Sequence, residues 1–221
     1  GRETAPRSIS GDFGRHADGS PVPFAEILAS GKAVGVPGLL AMLEAAHRRH
    51  GKLAWQRLLS SAIRLAENGF PVSPRLHLLS RDDPLLRKDA KAFALYYQND
   101  GEPRAIGSLL RNPELAAMLR RIGAEGSIAL SRGEVAGRIV AAVEARGGRL
   151  ALDELLAYQP RERDALCASY RRWRVCGMPP PSSGGIAVLQ MLGILERSGP
   201  ALAGPERPEA IHNFAEVGRL V

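Results

Sequence analysis

The sequence has no apolar run long enough to cross a membrane, and it has few cysteines. Among its 221 residues, no stretch approaches the roughly 18 apolar residues that a transmembrane helix needs, so we expect no membrane span. Its two cysteines are too few for a disulfide scaffold, and they have neither CxxC nor zinc-binding spacing. No signal peptide, internal repeat or low-complexity tract stands out. The hydrophobic content of 45% is that of an ordinary globular protein with a packed core.

The excess of positive charge is spread along the chain rather than clustered. The formal net charge is +7, and most of it comes from arginines that occur in ones and twos. A nucleic-acid-binding arm would concentrate that charge in one segment, so we expect no nucleic-acid partner. Dispersed arginines suit smaller anions, such as carboxylate substrates, or acidic protein partners.

The histidines and carboxylates form no clear metal or acid–base site. His47 and His50 have a spacing that would let both reach one ion, but the two arginines between them disfavour a bound cation. The HExxH pattern is absent. The Asp82-Asp83 pair precedes a proline and favours a turn. We therefore expect no metal, no cofactor and no carboxylate dyad.

Most of the chain carries helical periodicity. Apolar residues recur at i, i+3 and i+4 in several stretches, which predicts about eight helices. Asn68-Gly69 is a typical helix stop, while Ser73-Pro74 and Asn112-Pro113 are typical starts. Ser131 and Glu134 have the spacing of a capping box, which predicts that another helix opens there.

Residues 163–177 change to a strand-like pattern. Two runs flank Arg171-Arg172, which predicts a hairpin with these two turn residues, although Asn-Gly is the typical pair. Counting outward, Cys167 then faces Cys176 at a non-hydrogen-bonded position, where Cα atoms lie about 4.5 Å apart. That separation is at the short end of the disulfide range. Two alternatives stay open, a Cys167–Cys176 disulfide or two half-buried thiols.

A segment of prolines, serines and glycines, Pro179–Gly185, precedes an apolar helical pattern. A serine before a glycine pair could be a nucleophile, but the segment is not the G-x-S-x-G elbow and no histidine lies nearby in sequence. The favoured interpretation is structural. Ser182 or Ser183 would cap the helix, and Gly184 and Gly185 would permit a close backbone approach.

Near the start of the chain, Arg2 and Glu3 precede a rigid Ala5-Pro6 step. A guanidinium presents a planar fork that matches a carboxylate bidentately. The spacing alone favours a solvated or ion-paired surface arginine, so these residues do not identify a site by themselves.

Six motifs along the chain together resemble the gamma-glutamyltransferase (gamma-glutamyl transpeptidase) family. Each motif alone is weak, but their shared order and separation make the resemblance specific, and it covers nearly the whole chain. In order they are Arg2-Glu3-Thr4-Ala5-Pro6, Gly35-Val36-Pro37-Gly38, His50-Gly51-Lys52-Leu53-Ala54-Trp55, Ala62 to Phe70, Gly147-Gly148 with Asp153 and Leu155 to Tyr158, and Tyr170 with Pro179 to Gly185.

The resemblance implies an α+β fold, the αββα sandwich of N-terminal-nucleophile hydrolases. Residues 1–221 would be part of a single domain, as a mostly helical large-subunit portion with a β-hairpin. Family members cleave their own precursor, and the new N-terminal threonine of the small subunit is the nucleophile, with its α-amine as the base. The acyl-enzyme passes a gamma-glutamyl group to water or to an amine, so glutathione-like amides are the implied substrates.

For individual residues, the resemblance implies that Arg2 binds the α-carboxylate of the gamma-glutamyl group. Ser182, Ser183, Gly184 and Gly185 would belong to the architecture around the active site, without a catalytic role. Nothing matches the nucleophilic threonine, so we expect no catalytic residue here and an inactive chain on its own. The implied partner is the small subunit of the same precursor, and the implied location is periplasmic or secreted.

Two alternatives remain open. A cephalosporin acylase-like relative would hydrolyse a glutaryl-type amide, which lacks the α-amino group. A non-catalytic helical binding module would instead use its basic surface to hold an acidic partner, with binding that weakens steeply as salt rises.

Overall fold

The structure, a computed structural model, describes residues 14–16, 18–198, 204 and 206–221. It divides into two compact units, one that ends at Pro160 and one that comprises Arg161–Val221. Helices dominate both units, as the periodicity predicted. Within the described ranges, no helix combines the length and the apolar character that crossing a bilayer requires.

The described part of the first unit is mostly helical and contains one short pair of strands. Its strands β1 (Phe70–Pro71) and β2 (Leu109–Leu110) pair antiparallel, with Phe70 opposite Leu110. Short 3-10 segments lie at Gly31–Ala33 and Leu86–Lys88. The helices are α1 (Phe24–Ala29), α2 (Leu39–His50), α3 (Trp55–Asn68), α4 (Pro74–Asp82), α5 (Ala90–Tyr96), α6 (Pro113–Glu125), α7 (Ile128–Ser131), α8 (Gly133–Glu144) and α9 (Leu152–Ala157).

Local capping signals fix several helix ends. The Ser73 hydroxyl accepts from the Leu76 N–H at 3.1 Å at the start of α4. The Asn112 side chain accepts from the Leu115 N–H at 2.9 Å at the start of α6, and α3 ends before Gly69, whose φ is +88°. These three predictions are confirmed.

The predicted capping box at Ser131 is wrong. Ser131 is the last residue of α7, and Arg132 occupies the N-cap position of α8 without a side-chain hydrogen bond. Ser131 belongs to the four-residue helix α7, so it is not in the N-cap position of α8. The prediction fails because the short preceding helix has no periodicity of its own.

The core of the first unit lies around α8 and α9. Its buried residues are apolar and small or branched: Val36, Ala136, Val143, Leu150 and Leu155. A Cβ on Gly38 would lie 2.1 Å from the ring carbon Cζ of Tyr158, so only glycine fits beneath that ring. Two of the motifs noted in the sequence, the one at 35–38 and the one at 155–158, therefore pack directly against each other.

Helices α3 and α6 form a second packed pair. The Trp55 indole N–H donates to the Ile122 carbonyl at 3.0 Å, and the Arg120 guanidinium pairs with the Glu67 carboxylate. The Trp55 ring also lies against the His47 imidazole, with centroids 5.2 Å apart. Trp55 thus connects α6 to the end of α2.

The described part of the second unit contains a hairpin and two helices. Strands β3 (Leu166–Tyr170) and β4 (Trp173–Gly177) pair antiparallel with Cys167 opposite Cys176, so the predicted register is confirmed. Helix α10 (Ser183–Arg197) packs against both strands and against α11 (Pro208–Leu220). The two sulfur atoms are joined in a disulfide, with 4.1 Å between the Cα atoms.

The hairpin turn uses an unfavourable residue. Arg171 has a φ of +52°, a left-handed conformation that costs a non-glycine residue roughly 1–2 kcal/mol. Its backbone N–H donates to the Glu196 carboxylate of α10 at 2.7 Å. This hydrogen bond from α10 offsets part of the cost, and it has no signal in the local sequence.

Candidate functional site

The candidate site lies where β4 leads into α10. Met178, the three prolines and Ser182 connect the end of β4 to Ser183, the first residue of the helix. The peptide bond between Pro180 and Pro181 is cis, and the Ser182 N–H donates to the Pro179 carbonyl at 3.2 Å. Arg2, the other residue expected at the site, lies outside the described residues.

The two serines take their predicted positions but not their predicted hydrogen bonds. Ser182 is the N-cap residue of α10, with φ −75° and ψ 128°, yet its side chain makes no capping hydrogen bond. Ser182 is half-buried and Ser183 is exposed. In the described part of the chain, neither hydroxyl has a protein partner. Both hydroxyls are therefore free to bind a ligand or another protein segment.

The two glycines have different environments. A Cβ on Gly185 would lie 2.2 Å from the Met178 carbonyl oxygen, whereas a Cβ on Gly184 would meet nothing within 4 Å. The contact is equally tight from the strand side, because a Cβ on Gly177 would lie 2.6 Å from the Gly185 Cα. The predicted close backbone approach is thus made by Gly185 alone, and Gly177 is its partner.

Sequence reasoning missed Gly177. The residue ends a strand, and nothing in its neighbourhood distinguishes it from an ordinary strand terminus. The need for glycine at position 177 follows only from the fold, because α10 packs back over the strand that precedes it.

The start of α10 suits an oxygen-rich ligand rather than nucleophilic chemistry. The first N–H groups of a helix lack intrahelical partners and carry partial positive charge. Two hydroxyls without partners stand beside them. No histidine in the described ranges bonds to either hydroxyl, so within those ranges no imidazole acts as a base for either serine. This arrangement can orient an oxygen of a substrate or of an adjoining segment.

The other residues considered from the sequence have structural roles. The His47 Nε2 atom lies 2.8 Å from the Leu53 carbonyl oxygen, which joins α2 to the turn that follows it. Asp83 accepts from the N–H groups of Leu85 and Leu86 at 2.7 and 3.0 Å, as a turn residue does. Over the ranges that the structure describes, no group of histidine, cysteine and acidic side chains could hold a metal ion.

Two carboxylates with lowered pKa values stabilise helix starts. Burial would raise the pKa of Glu44, but hydrogen bonding by Ser127, whose N–H donates at 2.7 Å, and the charge of Arg48 outweigh it and lower the pKa. Hydrogen bonds from the Ala92 N–H and from Arg146 lower the pKa of Asp89. Both groups are ionised at neutral pH and hold local structure, so neither is a general acid.

Comparisons with known proteins identify the family to which this chain is similar. The family model described as "Gamma-glutamyltranspeptidase" matches residues 1–221. A "Glutathione hydrolase proenzyme" of Pseudomonas sp. (strain A14) is 32% identical over 99% of this chain and 38% of its own length. The "Acylase ACY 1 proenzyme" of Pseudomonas sp. (strain V22) is 35% identical over 88% of this chain and 35% of its own. The chain thus spans little more than a third of the length of either relative.

The fold has a matching solved structure. The gamma-glutamyltranspeptidase of Helicobacter pylori superposes with a TM-score of 0.89 and 29% sequence identity, over 99% of this chain and 62% of that one. The chain accordingly has the α+β fold of the N-terminal-nucleophile hydrolases, to which it contributes mostly helices and short antiparallel strand pairs. The family match over the whole chain, together with these relatives, shows that it belongs to the gamma-glutamyltranspeptidase family.

Proposed function

We propose that residues 1–221 are the large-subunit portion of a gamma-glutamyltransferase that also acts as a glutathione hydrolase, and that they form part of a single enzyme domain. The observation that supports this most directly is the likeness to the Helicobacter pylori enzyme over 99% of the chain. The reaction transfers a gamma-glutamyl group from an amide such as glutathione to water or to an amine.

The nucleophile in this proposal is a threonine of a small subunit made from the same precursor. Two relatives carry the word "proenzyme" in their names, which supports processing of a precursor. A newly exposed N-terminal threonine supplies both its hydroxyl and its own α-amine as base. The serines at the start of α10, which no imidazole within the described ranges activates, need then take no covalent part.

The surface of the chain fits a partner of this kind. Both units expose large apolar side chains, including Phe24 at 75% and Phe214 at 62% of their maximal exposure. Phe24 and Leu28 on α1, and Ile211 and Phe214 on α11, lie about one helical turn apart and are all exposed. Adjacent exposed apolar residues of this kind mark surfaces that other protein segments cover. The small subunit is the occupant that the proposal assigns to them.

Arg2 is assigned the binding of the α-carboxylate of the gamma-glutamyl group. A bidentate guanidinium–carboxylate contact fixes both position and orientation of the substrate. Ser182, Ser183 and the helix start behind them are assigned to the wall of the active site. Neither Ser182 nor Ser183 is assigned a proton transfer.

The test compares two substrates that differ in one group. The full-length processed protein is assayed with gamma-glutamyl-p-nitroanilide and with glutaryl-p-nitroanilide, which lacks only the α-amino group. We expect kcat/KM for the gamma-glutamyl compound to exceed that for the glutaryl compound by about tenfold or more, because hydrogen bonds to the charged α-amino group contribute about 1.5–3 kcal/mol. Equal or reversed values would contradict the proposal.

The second candidate function is that of an acylase that cleaves glutaryl-type amides, as a cephalosporin acylase does. The 35% identity to an acylase proenzyme favours it specifically. Both candidates share the fold and the threonine mechanism, so only the substrate comparison separates them. If neither anilide is turned over by a correctly processed protein, the third alternative, a binding module for an acidic partner, becomes the better account.

A periplasmic or secreted location completes the proposal. The Cys167–Cys176 disulfide supports it, because disulfides persist in oxidising compartments and are rare in the cytosol.

A further inference from the structure

The disulfide lies on the solvent side of the hairpin. Successive side chains of a strand point to opposite faces. The face with Val175 and Gly177 is half-buried and lies toward α10, whereas the face with Arg174 and Cys176 is exposed. Cys167 is half-buried. A thiol from solution therefore reaches the Cys176 sulfur more readily than that of Cys167.

Arg174 favours attack by an anionic thiol. It is two residues from Cys176 on the same strand and the same face, so their Cα atoms lie about 6.6 Å apart. A nearby guanidinium attracts a thiolate and stabilises a cysteine thiolate when the disulfide opens. In the described part of the structure, no ion pair neutralises the Arg174 guanidinium.

The hairpin is held by α10 on one face and by this disulfide on the other. A two-stranded hairpin is marginally stable by itself in water. The turn is the unfavourable Arg171-Arg172 pair, with Arg171 at φ +52°, and natural hairpins of this length favour Asn-Gly instead. The disulfide and the Arg171–Glu196 hydrogen bond lie at opposite ends of the strands. Reduction of the disulfide leaves the strand ends opposite the turn without a covalent link.

The hairpin is in direct backbone contact with the start of α10. Cys176 is followed at once by Gly177 and Met178, which pack on Gly185 so closely that no Cβ fits at Gly177 or Gly185. A change in the path of β4 after Cys176 must therefore displace the first turn of α10 or open a gap beneath it. That turn carries Ser183 and follows Ser182.

We propose that the Cys167–Cys176 disulfide is a site of thiol–disulfide exchange with small anionic thiols of the glutathione class, and that its state controls the order of residues 178–186. The thiolate attacks the Cys176 sulfur, a mixed disulfide forms, and Cys167 leaves as a thiolate that takes up a proton. A second thiolate attacks the sulfur of the bound small thiol and releases the Cys176 thiolate, which is then protonated. The protein disulfide gains two electrons, and two small thiols are oxidised to one disulfide.

This inference deepens the proposed function and depends on it only for the choice of thiol. If the enzyme handles glutathione, its own substrate pool sets the state of the hairpin. The chemical and structural parts stand independently of turnover.

The first test follows the chemistry on the full-length protein. It is incubated with reduced glutathione, quenched by alkylation and analysed by peptide mass spectrometry. We expect a glutathione adduct on Cys176, followed by free thiols at both positions. Arg174→Gln should slow the exchange about two- to fivefold, because the charge that attracts the thiolate is lost. Arg172→Gln, which removes the same charge about 13 Å from Cys176 and so beyond the screening length at 0.1 M salt, should not. A disulfide that survives glutathione, or equal rates in both variants, would overturn the exchange site.

The second test follows the structural coupling. Amide hydrogen exchange is compared between the oxidised and reduced protein, with a Cys167→Ser, Cys176→Ser double variant as the thiol-insensitive control. We expect the hydrogen-bonded amides of Ser182 and of residues 187–190 in the first turns of α10 to exchange several-fold faster after reduction, and the control to be unaffected by glutathione. Unchanged exchange at these amides would overturn the coupling. Absent gamma-glutamyl turnover in both states would count against the proposed function alone, because neither readout requires activity.

Discussion

At the scale of single residues, Arg2 carries the proposed substrate recognition. Arg2→Lys keeps the charge but loses the planar fork that holds a carboxylate bidentately. A hydrogen bond to a charged group contributes about 1.5–3 kcal/mol, so kcat/KM for a gamma-glutamyl substrate should fall about 10- to 100-fold. Steady-state kinetics of the processed enzyme measure this. Arg7→Lys, a nearby arginine without an assigned role, is the matched control, and equal values for the two variants would contradict the assignment.

The adjacent glycines of the candidate site offer a sharper comparison. Gly185→Ala places a methyl group 2.2 Å from the Met178 carbonyl oxygen, and overpacking of this kind costs about 1–3 kcal/mol. Gly184→Ala meets open space and should stabilise the helix by up to about 1 kcal/mol. Urea denaturation of both variants measures the difference. Similar midpoints would show that the contact between β4 and α10 is not tight.

How far the sequence predicts a residue's role depends on where its partners lie. The N-cap position of Ser182 follows from the prolines before it and the apolar pattern after it. The absence of its capping hydrogen bond does not follow, because it depends on the path that the prolines force on the chain. Gly185 was expected to permit close approach, but its partner Gly177 is set by the fold.

At the scale of elements, the hairpin turn can be tested by removing its strain. Glycine adopts a positive φ at no steric cost, so Arg171→Gly should stabilise the protein by about 1 kcal/mol, less the extra chain entropy that glycine loses on folding. Arg172, which lacks a positive φ, is the matched control: Arg172→Gly should be neutral or destabilising. Thermal unfolding of both variants in the oxidised state measures this. A lower midpoint for Arg171→Gly than for Arg172→Gly would be inconsistent with the observed turn.

The contact between α2 and α7 predicts a dependence on pH. The pKa of Glu44 is lowered in the folded state, so its stabilising contact with Ser127 is complete above the ordinary glutamate pKa of 4.5. It is lost as the pH falls through the lower folded value, because the unfolded chain then binds more protons. The free energy of unfolding should therefore fall more steeply below pH 4.5 in the wild type than in Glu44→Gln. If the free energy of unfolding changed with pH in the same way in both proteins, the Glu44–Ser127 contact would not stabilise the fold.

Elements with local signals were predicted, and elements without them were missed. Ser73-Pro74 and Asn112-Pro113 act within one turn of their helices, so the sequence contains the whole interaction. Strands β1 and β2 have two residues each and pair across the intervening helices α4 and α5, so neither run of residues has a recognisable period. The hairpin register was predictable because the turn and both strands are contiguous in sequence.

At the scale of the whole molecule, the family motifs explain one another only once they are brought together. Gly38 lies beneath the Tyr158 ring, although the two residues are 120 positions apart in sequence. The order of the motifs identifies the family, while their packing shows why glycine stands at one of them. The proposed nucleophile, a threonine of the small subunit, lies neither in these motifs nor among the described residues.

Intact mass spectrometry of the full-length protein, after purification and incubation, tests the proposed function most directly. We predict two fragments, the larger containing residues 1–221 and the smaller beginning with threonine. That result would establish self-processing and identify the nucleophile together. A single uncleaved chain that stays uncleaved on long incubation would contradict the enzyme proposal and favour the binding module.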